Sequence, residues 1–423
     1  MPTALATDIY RDIELPLVPV LASMEARGIR LDTIYLARLE AQMNSALALD
    51  EEQLALIAHR PLNPRSPKQL GSVFYGSEGL DEPVRRRTKT GRPSTDRFAL
   101  QMMQNSVARA VEQCRETSQS LSLGVRRVPQ FVLEDGRIHP SFHQAGTWEE
   151  GGSEGRPSPE TGRLSSSGPN VQQVTVRRRW GRVIRQAFVP TEGYVFVAAD
   201  ASQEELRLAS WFANERALRD AFEGGSDPHQ LTAVRLGLDP KRQRDIAKNC
   251  NFALIYGVAA PKLLAMVPEL GDLRSAIEIR ERFFDTYRAF PIWWAAVLDR
   301  SRAAGYSETY FGRRRYLPFL GARKKADRAE AERQAINHTV QGTGADVLKF
   351  ALRRVWEATR VLDAHLVLTS HDDIVLETRP SLVPTVCDIL RGAFQVLPLS
   401  LPAEIKVGKT WGDMEAYGLS KSL

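Results

Sequence analysis

Asp200 closes the apolar run Val195-Phe196-Val197-Ala198-Ala199, and Asp372 sits in a short polar break between two apolar runs, Leu366 to Ser370 and Ile374 to Thr378. Each reads as a carboxylate at the end of a buried strand, exposed at a sheet edge. If the strands are neighbours, the two carboxylates converge and repel, so the pair calls for cations. Hard oxygen donors without nearby sulfur favour Mg2+, with Mn2+ as a substitute. Two ions about 3.5–4 Å apart suit in-line attack on a phosphate, one activating a hydroxyl and the other neutralising a leaving pyrophosphate. A plainer reading stands beside this one. Asp200 then merely starts a turn, and Ser202 with Glu205 forms a capping box for the following helix.

Between the two acids, Arg244, Lys248, Phe252 and Tyr256 stand four residues apart. On one helix they would share a face over roughly 18 Å, two cations followed by two aromatics. The charged end suits a triphosphate and the aromatic end a stacked base. The alternative is an amphipathic helix with core aromatics and solvated cations.

These residues need a scaffold, and 423 residues suffice for two or three domains with sizeable cores. Lys and Arg number 57 against 51 Asp and Glu, a modest excess that concentrates in runs: Arg85-Arg86-Arg87 with Lys89 and Arg92, Arg177-Arg178-Arg179, Arg313-Arg314-Arg315 and Arg323-Lys324-Lys325. Any one run suits a solvated surface; together they suit a track for a phosphate backbone. The cysteines, Cys114, Cys250 and Cys387, are far apart, which disfavours a disulfide framework or structural zinc. His139 and His143 flank Pro140 and read as structural. No apolar stretch is long enough to span a bilayer and the N-terminus lacks a leader pattern, so a cytoplasmic protein without membrane partners is expected.

Helical spacing from Leu15 to Ala58, interrupted at Gly28, predicts a helical hairpin. A further helix is expected near Ser66, a basic mobile loop at 85–95, a helix from Asp96 to Ser120, and short strands around Phe131 to Leu133 and near Ile138. Helices dominate from Glu204 to about Phe350, with loops at Gly224-Gly225 and around Gly312, and a β-hairpin surrounds His371-Asp372-Asp373.

The segments in their order resemble the family A DNA polymerases, the bacterial DNA polymerase I family. DASQEELRLAS (Asp200 to Ser210) resembles motif A, RDIAKNCNFALIYG (Arg244 to Gly257) motif B and HDDIVLE (His371 to Glu377) motif C. TGRLSSSGPNVQQV (Thr161 to Val174), DPHQLTA (Asp227 to Ala233), YFGRRRYLP (Tyr310 to Pro318), NHTVQGTGADVLK (Asn337 to Lys349) and the N-terminal PLVPVLASMEARGIRLD also match, so the likeness spans nearly the whole chain.

The resemblance implies an α+β right-hand polymerase fold: helical thumb 1–128 with basic tip loop 85–95, first palm part 129–212, helical fingers 213–335 and second palm part 336–423, the palm built on an antiparallel sheet. It implies two Mg2+ on Asp200, Asp372 and the backbone carbonyl of Ala201, with Lys248 also catalytic. Gln203, Glu205, His229, Arg244, Lys248, Phe252 and Tyr256 would bind the nucleotide, Glu205 by blocking a ribose 2′-OH. Arg163, Asn170, Gln172, Asn337, Gln341 and His371 would follow the primer–template minor groove, whose near-uniform acceptors test pairing geometry without reading sequence. Lys89 and Arg92 would touch DNA from the tip loop.

Departures fall at Ala201, where the family usually has Tyr; at Glu204, where an apolar residue is usual; at Asp245, in place of a second Arg; and at Ala253, in place of a Gly. Asp373 replaces a Glu and is one methylene shorter, which makes it the weakest candidate metal ligand. Trp148 to Glu160 reads as an insertion. A monomeric, template-directed DNA polymerase using primer–template DNA and dNTPs is therefore expected. Only a short stretch precedes the thumb-like segment, so no 3′–5′ proofreading domain is expected, and separate proofreading or processivity factors would act alongside. The alternatives are a catalytically impaired primer–template binding protein and a single-subunit RNA polymerase, the latter disfavoured by Glu205.

Overall fold

The computed structural model describes residues 7–418 except 78, 89, 104, 146–159, 175, 177 and 371. The expected N-terminal hairpin consists of α1 (Leu15–Arg27) and α2 (Thr33–Ile57). Leu17, Leu21 and Met24 of α1 and Leu36, Leu39 and Met43 of α2 are buried at the spacing that predicted the pair. Gly28 ends α1 at φ 61, a conformation that favours glycine, and a Cβ there would meet the Ile138 carbonyl at 2.6 Å. The connection is also a strand, β1 (Ile29–Leu31), too short to show in the pattern.

Ser66 caps α3 (Pro67–Tyr75) through the amide of Gln69, with Pro67 opening the helix. The single helix expected from Asp96 to Ser120 is two, α4 (Arg97–Gln101) and α5 (Ser106–Ser120). The reason is capping: Asp96 accepts from Ala99 N, and Asn105 accepts from Ala108 N and restarts the chain. Between them and α3, residues 85–95 form a loop whose described part holds one isolated bridge, Arg87 to Pro93. Leu54, Leu70, Phe74, Leu100, Val111 and Cys114 form a second core, separate from the main one.

The strand expected at Phe131 to Leu133 is absent; Pro129 lies instead in a 3-10 turn, Val128–Phe131. β2 (Arg137–Ile138) forms as expected, followed by β3 (Ser141–His143), β4 (Ser165–Ser167), α6 (Gly181–Arg185) and β5 (Phe188–Val189). β1 pairs antiparallel with both β2 and β5, and β3 pairs with β4. His139 and His143 bond to Asp135 and Ser167, a structural use. Most of the insertion at 148–160 lies outside the described residues.

β6 (Val195–Ala201) then enters the main sheet. A helical stretch follows: α7 (Glu204–Ala213), α8 (Arg216–Glu223), α9 (Pro228–Leu236), α10 (Arg244–Leu254), α11 (Ala260–Met266), α12 (Leu273–Thr286) and α13 (Ala289–Ala304). A hairpin of β7 (Tyr306–Glu308) and β8 (Arg314–Tyr316) interrupts it before α14 (Lys325–Asn337) and α15 (Thr343–Thr359). The chain returns to the sheet through β9 (Ala364–Ser370), β10 (Asp373–Thr378), α16 (Val383–Ala393), β11 (Ala403–Gly408) and β12 (Met414–Ala416). The sheet order is β12-β11-β6-β10-β9, antiparallel throughout. No described helix is long and apolar enough to cross a membrane.

One buried carboxylate joins the N-terminal hairpin to this sheet. Glu377, fully buried on β10, accepts from Arg27 at 2.6 Å, from Arg137 at 2.8 Å and from the Thr191 amide at 2.8 Å. Burial alone would raise its pKa; the Thr191 amide, Arg137 and Arg27 outweigh burial and hold it below the usual value. Such a lowered group stabilises the fold above the unfolded carboxylate pKa, and that stabilisation is lost as pH falls through the lower folded value. Glu377→Gln, which strands two guanidinium groups, is expected to cost about 3 kcal/mol at pH 7. The gap between its thermal midpoint and that of the native chain should narrow in acid; an unchanged midpoint at pH 7 would contradict this role.

Candidate active site

Strand register assembles the acids. Asp200 on β6 lies opposite Asp373 on β10, and on its other side opposite Glu404 on β11. Asp372 occupies the turn between β9 and β10. Burial first, then Asp373, Asp372 and Glu404, push the Asp200 pKa up to about 8. Burial pushes Asp373 up to about 6 against the opposing pull of Arg185 and Lys406. These shifts mark a site short of positive charge. Among the described residues its donors are carboxylate and carbonyl oxygens, a set that fits hard divalent ions. Among the described residues no three acidic, His or Cys side chains form a ready-made metal cage.

The turn after β6 shapes the next layer. Gln203 adopts φ 52, a left-handed conformation, and α7 starts without a side-chain cap. The capping box of Ser202 and Glu205 does not form: Ser202 Oγ donates to Glu404 Oε1 at 2.7 Å, and Glu205 is committed elsewhere. Glu205 accepts from Arg163 at 2.8 Å and from the Tyr256 hydroxyl at 2.5 Å, while Arg163 also lies 3.7 Å from Asp372. Burial works against the Arg163 charge, but Asp372 and Glu205 outweigh it and raise its pKa. Burial and Glu205 raise Tyr256 well above its usual value, which keeps its hydroxyl a donor. Glu204, 4% exposed, is also raised well above the usual carboxylate value, first by burial and then by Asp372. A Cβ on Gly344 would lie 2.5 Å from its Oε2, so glycine makes room for it.

A cleft of about 1290 Å³ opens over these residues. Asp200, Ala201, Gln203, Glu204, Glu205 and Asp372 line one wall, and Lys248 and Phe252 of α10 line another. Arg97 and Phe98 of α4 face the same space from the N-terminal region. The four-residue row on α10 is only partly realised, because the helix ends at Leu254 and Tyr256 lies beyond it, turned to Glu205. Arg244 lies outside the cleft lining, its Nε bonded to Asp227 Oδ2 at 2.5 Å. His229 is 1% exposed; the Asn251 amide donates to its Nδ1 at 3.0 Å, which places the proton on Nε2, a buried atom without a hydrogen-bond partner. Burial pushes its pKa down to about 4, so the ring is neutral.

The remaining expected contacts scatter. Asn170 accepts from Ser166, Gln172 reaches the Thr369 carbonyl at 3.5 Å, and Gln341 hydrogen-bonds toward Tyr256. Asn337 Oδ1 is buried without a partner. Arg92 is exposed on its loop, and Lys89 and His371 lie outside the described residues. Sequence reasoning missed Glu404, Asp227 and Arg185. Alternation of Glu404 with Ile405 along β11 was the available signal for the first, but only strand pairing places it beside Asp200.

An antiparallel sheet with acids at one end, faced by a cationic helix and flanked by a helical arm, defines a hand-shaped polymerase architecture. The DNA polymerase family A model matches residues 33–413, and the chain belongs to that family. It is 37% identical over 410 residues to the thermostable DNA polymerase I of Thermus filiformis, covering 95% of this chain and 47% of that protein. It is also 37% identical over 424 residues to DNA polymerase I of Pseudomonas aeruginosa, covering 96% and 44%. The chain thus spans about half the length of the curated relatives it matches. A solved structure of the POL domain of Pol1 from M. smegmatis, in complex with DNA primer-template and dNTP, aligns with TM-score 0.83 and 30% identity over 95% of this chain and 70% of that one.

The raised Asp200 pKa carries a sign. Because the folded value exceeds the unfolded one, this group's contribution disfavours folding progressively as pH rises from about 4 toward 8. Asp200→Asn should therefore raise the thermal midpoint of the metal-free chain at pH 8. Mg2+ should stabilise the native chain and not the variant; a destabilised Asn variant without metal would contradict the repulsion.

Proposed function

We propose that this chain is a template-directed DNA polymerase that joins dNTPs to a primer 3′-OH. One observation carries the reading: in a family A chain, Asp200 at the end of β6 and Asp372 in the turn before β10 share one wall of a cleft whose other wall presents Lys248 and Phe252. In this reading residues 1–128 form the thumb, 129–212 and 336–423 the palm, and 213–335 the fingers, with primer–template and dNTP entering the cleft between them.

Asp200, Asp372 and the Ala201 carbonyl would hold two Mg2+, which supply activation of the primer hydroxyl and charge neutralisation at the pyrophosphate. Lys248 offers an ammonium to the phosphates and a proton to the leaving group. Arg244 adds a guanidinium when it leaves Asp227, a carboxylate that the same bond holds below its usual pKa despite burial. The free Nε2–H of His229 is a neutral donor for a phosphate oxygen. Phe252 stacks on the sugar and base. Glu205, fixed between Arg163 and Tyr256, fills the space a 2′-OH requires, and Gln203 packs beside it. Arg163, Asn170, Gln172, Asn337, Gln341 and His371 follow the duplex minor groove, with Lys89 and Arg92 on its backbone.

Asp200→Ala and Asp372→Ala should each abolish extension of a labelled primer, a loss of about 10³-fold or more, while primer–template binding measured by anisotropy persists. Full extension by either variant would refute the assignment. Glu205→Ala should raise ribonucleotide insertion relative to deoxyribonucleotide; unchanged sugar selectivity would refute its role.

A further inference from the structure

We infer that Glu404, rather than Asp373, is the third acidic side chain of the cation site, acting beside Asp200 and Asp372 to set its affinity for divalent ions. The inference rests on the polymerase reading above. Three neighbouring strands carry an acid at one register, Asp373, Asp200 and Glu404, so either flanking residue is placed to act on a cation held by Asp200.

The two flanks differ in surroundings. Asp373 is within electrostatic reach of Arg185 and Lys406, and Arg185 is fixed: it is 6% exposed, donates to the Val174 carbonyl at 2.7 Å and lies 3.7 Å over the Trp411 ring. A permanent protein cation therefore already answers its charge. Asp373 also stays outside the cleft lining, whereas Glu404 lines the cleft together with Asp200 and Asp372.

Glu404 is held there by the Ser202 hydroxyl at 2.7 Å, and the Ser202 amide donates to the Pro402 carbonyl at 2.9 Å. This stitch joins β11 to the residue after Ala201, whose carbonyl is the expected backbone ligand. Arg207 lies within electrostatic reach of Glu404, but the bonds of its guanidinium go to backbone carbonyls and a ring. It donates to the Ser202 carbonyl at 3.0 Å and the Ser400 carbonyl at 3.4 Å, and sits 4.1 Å over the Phe222 ring. Lys406 is shared with Asp200 and Asp373. Glu404 thus contributes negative charge to the cleft wall that an incoming cation can use, without belonging to a closed cage.

The test is Mn2+ binding to the intact chain, read as free-ion electron paramagnetic resonance, with Asp200→Asn defining the site-specific part. Glu404→Gln, which keeps an acceptor for Ser202 and removes the charge, should weaken that binding roughly threefold to tenfold, while Asp373→Asn changes it less than about twofold. Glu404→Asp should recover most of the affinity. Indifference to Glu404→Gln, a loss at Asp373→Asn as large or larger, or no Asp200-dependent binding at all overturns the inference. Should Glu404→Gln fail to fold by circular dichroism, Ser202→Ala takes its place: partial weakening supports the inference and no change overturns it. Primer extension by the native chain separates the two readings. Extension with an indifferent Glu404→Gln sinks this inference alone; no extension, with the Mn2+ losses as stated, sinks only the polymerase reading.

Discussion

Repulsion between carboxylates governs this molecule's centre. The sheet places Asp373, Asp200 and Glu404 side by side on three strands, with Asp372 in the adjacent turn, and burial together with these neighbours makes Asp200 resist ionisation. A fold gains nothing from such an arrangement by itself. It makes sense as a pocket of negative potential that the proposed divalent ions would relieve, and much of the surrounding structure bears on keeping the acids in place: β6 and β10 are apolar and buried below them, and the Glu377 clamp fastens the far end of β10 to the N-terminal hairpin.

A second constraint operates across the cleft. Arg163, Glu205 and Tyr256 form a chain of charge-assisted bonds that ends beside Asp372, linking the segment after β3, the start of α7 and the end of α10. The group proposed to select the sugar, and the two residues that fix it, are thus coupled to one of the proposed metal ligands. Asp227 similarly occupies Arg244. The first set holds Glu205 in a fixed position, whereas the Asp227–Arg244 pair can exchange its carboxylate for a phosphate, one ionic partner for another.

Much of this was legible in the sequence, for local reasons. An apolar run ending in an acid gave β6 and Asp200; two apolar runs around His371-Asp372-Asp373 gave the hairpin; Ser66 before a proline gave the start of α3. What escaped depends on distant partners. β1 is too short for periodicity and exists because it pairs with β2 on one side and β5 on the other. The loop expected around Gly312, where φ is 94, is the turn of the β7–β8 hairpin, whose three-residue strands are too short to show in the pattern. Asn105 splits a helix whose pattern looked continuous. Glu404, in a strand two hundred positions from Asp200 by the numbering, becomes its neighbour only through strand pairing. The expected capping box had the right letters, but Ser202 and Glu205 found stronger partners in Glu404, Arg163 and Tyr256.

The most direct measurement is anomalous diffraction from crystals of the chain with a dideoxy-terminated primer–template, a matching dNTP and Mn2+. Two Mn2+ peaks at Asp200 and Asp372 are expected, with the triphosphate reaching Lys248. Peaks held by other residues, or a triphosphate bound away from Asp200 and Asp372, would contradict the polymerase reading.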